Sequence, residues 1–103
     1  MNYEAIQMAN LLDKLEDKFN LNVAKVHMLR VMVDRWNASG VVKITDILKT
    51  FTRTSRATTH RAIKELVSDK LLKEVKSPDD RRTKHLVPGA KFDRYIRTIG
   101  EML

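Results

Sequence analysis

The chain contains no cysteine, which excludes a disulfide framework, a cysteine-ligated zinc finger and thiol-based redox sensing. Glycine occurs only at Gly40, Gly89 and Gly100, so there is no glycine-rich loop to cradle phosphates. His27, His60 and His85 fall in three different predicted elements, and no His/Cys/Asp/Glu set has metal-ligand spacing. No metal, no cofactor and no enzymatic activity are therefore expected. Runs of 18 or more apolar residues are also lacking, so no membrane span is expected. Acidic residues are scattered through the first 19 positions, unlike a secretory signal or a transit peptide, and a cytoplasmic location is the expectation. Internal repeats, low-complexity stretches and domain-dividing linkers are missing too, and residues 1–103 read as one domain.

What is present is a soluble globular composition: 103 residues, 43% hydrophobic and 32% charged. The net charge of +7 is unevenly placed. Residues 1–37 carry five Lys/Arg and five Asp/Glu, whereas residues 49–85 carry eleven against five. Nearly all of the surplus thus lies in one segment of 37 residues. A scattered excess would be a solvated surface, but a concentrated one favours a polyanion, because cations set beside phosphates release condensed counterions.

Periodicity gives the elements. Ala5, Met8, Leu12, Leu15 and Phe19 recur three and four apart and predict a helix over residues 3–19. Asn22 is placed to cap a second helix over 23–37, with Val26, Leu29, Val33 and Trp36 on one face. Met28, Val31 and Met32 widen that face, the methionines as core filler. Val41-Val42-Lys43-Ile44 reads as a brief strand, and Thr45 as the cap of a short helix over 46–51. Ser55 caps a further helix over 56–69. Strands at 71–76 and 84–87 flank a turn from Ser77 to Thr83, and Pro88-Gly89 breaks the chain. A last helix over 90–103 carries Phe92, Ile96, Ile99 and Leu103 on one stripe. This order is mainly α with a small β-wing (α+β), the plan of a winged helix-turn-helix.

Two helices joined by the polar turn Thr52-Arg53-Thr54 form the centre of that plan, and the second would enter the major groove of duplex DNA. Its Thr59, Ile63 and Leu66 are spaced to pack on the shorter helix. The opposite face, with the residues leading into it, offers Thr54, Ser55, Arg56, Thr58, His60, Arg61 and Lys64 to base edges and phosphates. The first acid after Ser55 is Glu65. The opening two turns therefore set cations against the helix dipole, a local conflict of the kind found at functional sites.

Residues 44–88 resemble the multiple-antibiotic-resistance-regulator (MarR) family of bacterial winged-helix regulators. The stretches that carry the resemblance are SRATTHRAIKELVSDKLL, like that family's recognition helix and following strand, and SPDDRRTKHLVP, like its wing. Asp80-Arg81-Arg82 matches the family's Asp-x-Arg wing motif. The resemblance implies that Arg82 enters the minor groove, that Asp80 orients it, and that Arg81 or Lys84 lies near phosphates. It also implies a transcriptional regulator that binds double-stranded DNA. The chain departs from the pattern at Lys70, where a glycine is usual, and at Val87-Pro88, where Leu-Thr is usual. Family members also run on into two long C-terminal helices, whereas this sequence ends at Leu103. A small-molecule effector, common in the family, has no support in these residues.

Both terminal helices are amphipathic, and one small domain has limited core for two such stripes. A homodimer is therefore expected, with Leu12, Leu15 and Phe19 meeting Phe92, Ile96 and Ile99 across a two-fold axis. The rival reading is a winged-helix interaction module whose basic face binds an acidic protein partner or RNA. A protein partner needs an exposed apolar patch, whereas DNA needs the helix face and Arg82 on one surface.

Overall fold

The computed structural model describes residues 3–77 and 82–102. The expected Asp80, Arg81 and Leu103 lie outside that set. Five helices and three strands follow in the order α1 (Tyr3–Phe19), α2 (Val23–Ser39), β1 (Val42–Lys43), α3 (Ile44–Thr50), α4 (Arg56–Ser68), β2 (Leu72–Lys76), β3 (Lys84–Pro88) and α5 (Phe92–Met102).

Local chemistry accounts for most of the boundaries. Asn20 adopts φ +57, a left-handed conformation that asparagine tolerates, and ends α1. Two residues on, Asn22 Oδ1 accepts the backbone N–H of Lys25 at 2.9 Å and starts α2. Gly40, at φ +74, donates its N–H to the Trp36 carbonyl at 2.8 Å and closes that helix after Ser39.

Most bounds shift by one or two residues, and two of the differences have a physical cause. Helix α3 begins at Ile44 directly after β1, with Lys43 as a cap that makes no side-chain bond. Thr45 therefore lies inside the first turn of α3 instead of capping it. Strand β3 runs one residue further than expected: Pro88 is its last residue, opposite Leu72, and the break follows at Gly89. The proline is tolerated because the two-residue β1 reaches only Leu86, so no ladder on that side needs an N–H from Pro88.

The sheet is antiparallel in the order β1-β3-β2. Leu86 on the central strand faces Val42 on one side and Glu74 on the other. One hydrophobic cluster joins α1, α2, α3, α4, the sheet and α5, with Leu15, Met28, Leu29, Met32, Ile47, Ile63, Leu66 and Leu86 almost fully buried. Trp36 ties α2 to the sheet by donating Nε1–H to the Leu86 carbonyl at 2.9 Å, and its ring meets Phe92 edge-on at 5.4 Å. Burial of each such leucine or methionine contributes ~1.5–3 kcal/mol.

The terminal helices pack on each other within one chain. Phe19 and Tyr95 meet edge-on at 5.8 Å, and Leu15, Phe19 and Phe92 are turned into the core. This corrects the expected dimer face, because these three side chains are consumed inside the protomer. The inward face of α5 runs through Phe92, Tyr95 and Thr98, with Ile99 half-buried, while Ile96 is left 44% exposed. At the other end of the pair, all eight residues from Tyr3 to Asn10 are exposed, and burial starts at Leu11. This overhang makes the molecule elongated, 51 × 27 × 25 Å, with a radius of gyration of 14.3 Å. A compact chain of this length has ~13 Å.

Candidate nucleic-acid interface

Helix α4 is amphipathic in the sense its sequence demands. Thr59, Ala62, Ile63 and Leu66 are buried, and Arg56, Thr58, His60, Arg61 and Lys64 are exposed. Its N-terminus is fastened by a chain of hydroxyls. Ser55 Oγ accepts the Thr58 N–H at 3.2 Å and donates to Thr58 Oγ1 at 2.9 Å. Thr59 Oγ1 donates to the Ser55 carbonyl at 2.9 Å and shares a 2.7 Å hydrogen bond with Thr54 Oγ1. Thr54 and Ser55 thus spend their hydroxyls on holding α4. Thr58 keeps its own proton available on the exposed side.

The C-terminal end of α4 is set by backbone contacts. Lys70 adopts φ +65 where a glycine is usual in the resembled family. Its carbonyl accepts the Lys91 N–H at 2.9 Å, and Gly89 N–H bonds the Leu71 carbonyl at 3.0 Å. The two segments run so close that a Cβ at Gly89 would collide with the Lys70 carbonyl. Glycine is required there by space.

Between α4 and the β2–β3 hairpin runs a groove of about 510 Å³. Ile44 and Thr45 of α3, His60, Lys64 and Val67 of α4, Glu74 of β2, and Arg82, Thr83 and Lys84 line it. Of the expected residues, His60, Lys64, Arg82 and Lys84 are therefore brought together. Arg56, Thr58 and Arg61 stand on the exposed face of α4 outside this lining. Arg81 lies outside the described residues.

Two acids shape this surface: Glu74, which sequence reasoning missed, and Glu65, whose partner it missed. Glu74 Oε2 stands 3.5 Å from Lys84 Nζ across the hairpin, so Lys84 is partly neutralised on its own sheet. Because that pair is largely exposed, it contributes little to stability. Glu65 Oε2 lies 2.6 Å from Lys25 Nζ on α2. The Lys25 hydrogen bond and charge hold the Glu65 carboxyl below its ordinary range. Strand alternation could have flagged Glu74, but nothing in a linear sequence joins positions 40 residues apart. Among the described residues, no group of three or more His, Cys, Asp or Glu is arranged to hold a metal ion.

Helix-turn-helix geometry in α3 and α4, followed by a two-stranded antiparallel hairpin, defines a winged helix-turn-helix fold. Solved structures with this fold include a complex of MepR from S. aureus with DNA, with a TM-score of 0.77 at 17% identity over 97% of this chain and 72% of that one. The transcriptional regulator Tm0710 from Thermotoga maritima gives 0.67 at 19% identity, covering 97% and 71% of the two chains. MarR gives 0.67 at 17% identity, covering 97% and 72%. No protein-family model and no curated protein matches the sequence.

Proposed function

We propose that the protein is a sequence-specific transcriptional regulator that binds double-stranded DNA as a homodimer in the cytoplasm. Helix α4 lies in the major groove, and the wing at 77–84 meets the adjacent minor groove. The observation that carries this reading is the basic groove, in which Lys64 from the helix and Arg82 and Lys84 from the hairpin converge. Two cationic elements on one surface suit a duplex backbone. The MepR structure of the same fold is a complex with DNA.

The rival partner, an acidic protein, needs apolar surface beside the cations. Among the described residues, the large apolar side chains that are exposed are Tyr3, Ile6 and Met8 on α1, Val23 on α2, Val41, and Ile96 on α5. None is on α4 or lines the groove, where the apolar members Ile44 and Val67 are half-buried, and this favours DNA over a protein ligand there.

The same residues support the homodimer, in a revised form. Leu12, Ile96 and Ile99 retain an outward part. Together with Tyr3, Ile6 and Met8 of the overhanging turns they supply the interface that Leu15, Phe19 and Phe92 cannot. A symmetric pair then reads two half-sites about one helical turn, ~34 Å, apart.

Selection of bound duplexes from random sequence, followed by affinity measurement across salt, tests the reading. With about six to ten phosphates contacted per dimer, affinity falls by ~10³–10⁵ between 50 and 200 mM salt. Enrichment of no sequence, with affinity indifferent to salt, refutes it.

A further inference from the structure

Lys25 is an unusual residue for its position. Its side chain is only 6% exposed, yet it is a cation in the first turn of α2, where the helix dipole disfavours positive charge. Both burial and dipole cost stability, and an apolar side chain of the same length would avoid both. Its partners show what the charge is directed to. Nζ lies 2.6 Å from Glu65 Oε2 on α4, with the Asn20 carbonyl 3.5 Å away as a weaker second acceptor.

Glu65 is the only acid in α4, RATTHRAIKELVS. It sits one turn after Arg61, at the i,i+4 spacing from which oppositely charged side chains on a helix pair. Among the described residues, Arg61 and Glu65 form no ion pair: the exposed carboxylate bonds Lys25 instead, and the Arg61 charge acts on it only at longer range. Arg61 remains exposed.

We propose that Lys25 is a positioning residue for the DNA-facing helix: it holds the Glu65 carboxylate out of a direct ion pair with Arg61, so that the guanidinium meets DNA without a bonded counter-charge. This role rests on the reading of α4 as the helix that faces DNA. Without Lys25, Glu65 folds back along α4 onto Arg61. One cation is then lost from the interface, although no residue that touches DNA has changed.

The test compares the full chain with Lys25→Met, Glu65→Gln and the double variant, on one mixed-sequence duplex across a salt series. Lys25→Met keeps the buried stem and removes the charge. It should bind roughly tenfold more weakly, the weight of one good arginine contact, with a shallower salt dependence. The double variant should recover the affinity of the parent. Glu65→Gln alone leaves Lys25 without its counter-charge, so its melting temperature should fall while it binds DNA at least as tightly as the parent. A pair with a merely structural role gives the opposite pattern, with affinity following stability in all three variants, and that pattern overturns the proposal. So does a Lys25→Met variant that binds like the parent. If Lys25→Met does not fold, Glu65→Gln still decides between the two patterns. A parent that binds no duplex overturns the DNA reading, and this role with it.

Discussion

Helices α1 and α4 each leave a row of side chains to solvent, and the rows differ in kind. On α4 the exposed residues are mostly basic or hydroxylic, and the helix beneath them is fixed at several points. Ser55 and the Thr54–Thr59 pair hold its start, Ile63 and Leu66 its inner face, and Lys25 its last turns. On α1 the exposed turns carry Tyr3, Ile6 and Met8, and they stand beyond the core with no described residue covering them. A rigid polar row suits a patterned, charged ligand, whose specificity depends on donors held in place. An overhanging apolar row suits a second copy of the same surface, since its burial is what an isolated chain lacks. Exposure alone does not identify a binding surface; the chemistry exposed and the stiffness beneath it do.

The comparison breaks most visibly at Leu15 and Ile96, which the sequence stripes treat alike. Leu15→Glu buries a carboxylate at a fully enclosed site and should unfold the chain, costing upwards of ~4 kcal/mol. Ile96→Glu should change stability by less than about 0.5 kcal/mol and convert dimers to monomers. Thermal unfolding and sedimentation of both variants check this, and two equally stable monomers would return Leu15 to the interface. A smaller effect is expected where the end of α4 is locked. Gly89→Ala forces a methyl against the Lys70 carbonyl and should cost about 1–3 kcal/mol in denaturant unfolding. Lys70→Gly relieves the left-handed backbone at that position and should stabilise by up to about 1 kcal/mol. The last effect, confined to alkaline pH, lies in the helix pair itself. Burial pushes the Tyr95 hydroxyl up to about 12. Its folded value lies above its unfolded one, so its contribution is complete below pH ~10 and is lost as the pH rises towards 12. Tyr95→Phe should flatten that alkaline part of the stability curve.

What the sequence made legible follows the range over which each signal acts. Ser55 and Asn22 were readable as caps because an N-cap acts across three residues. The inward face of α4 was readable because Thr59, Ile63 and Leu66 keep helical spacing. Thr45 misled, since a threonine before a helical pattern resembles a cap even when the preceding strand delivers the chain directly into the helix. The stripe on α5 was misjudged because an isoleucine outranks a tyrosine or a threonine in hydrophobicity. Tyr95 and Thr98 nevertheless take the inner face, where Phe19 meets the tyrosine ring edge-on and Phe92 meets it at a tilt. Which amphipathic helix finds its partner inside the protomer is a question of tertiary geometry, and periodicity carries no information on it. The same holds for Lys25 and Glu65, whose meeting depends on the crossing of α2 and α4.

The central claim, that α4 and the wing form the surface that meets DNA, is tested most directly by the salt dependence of binding in matched charge variants. Lys64→Ala and Arg82→Ala each remove a cation from the groove, whereas Arg97→Ala removes one from the exposed side of α5. If duplex DNA lies along the groove, each of the first two should lower the slope of log affinity against log salt by about one per protomer, and Arg97→Ala should leave it unchanged. Equal slopes for all three variants, or a loss confined to Arg97→Ala, would contradict the account.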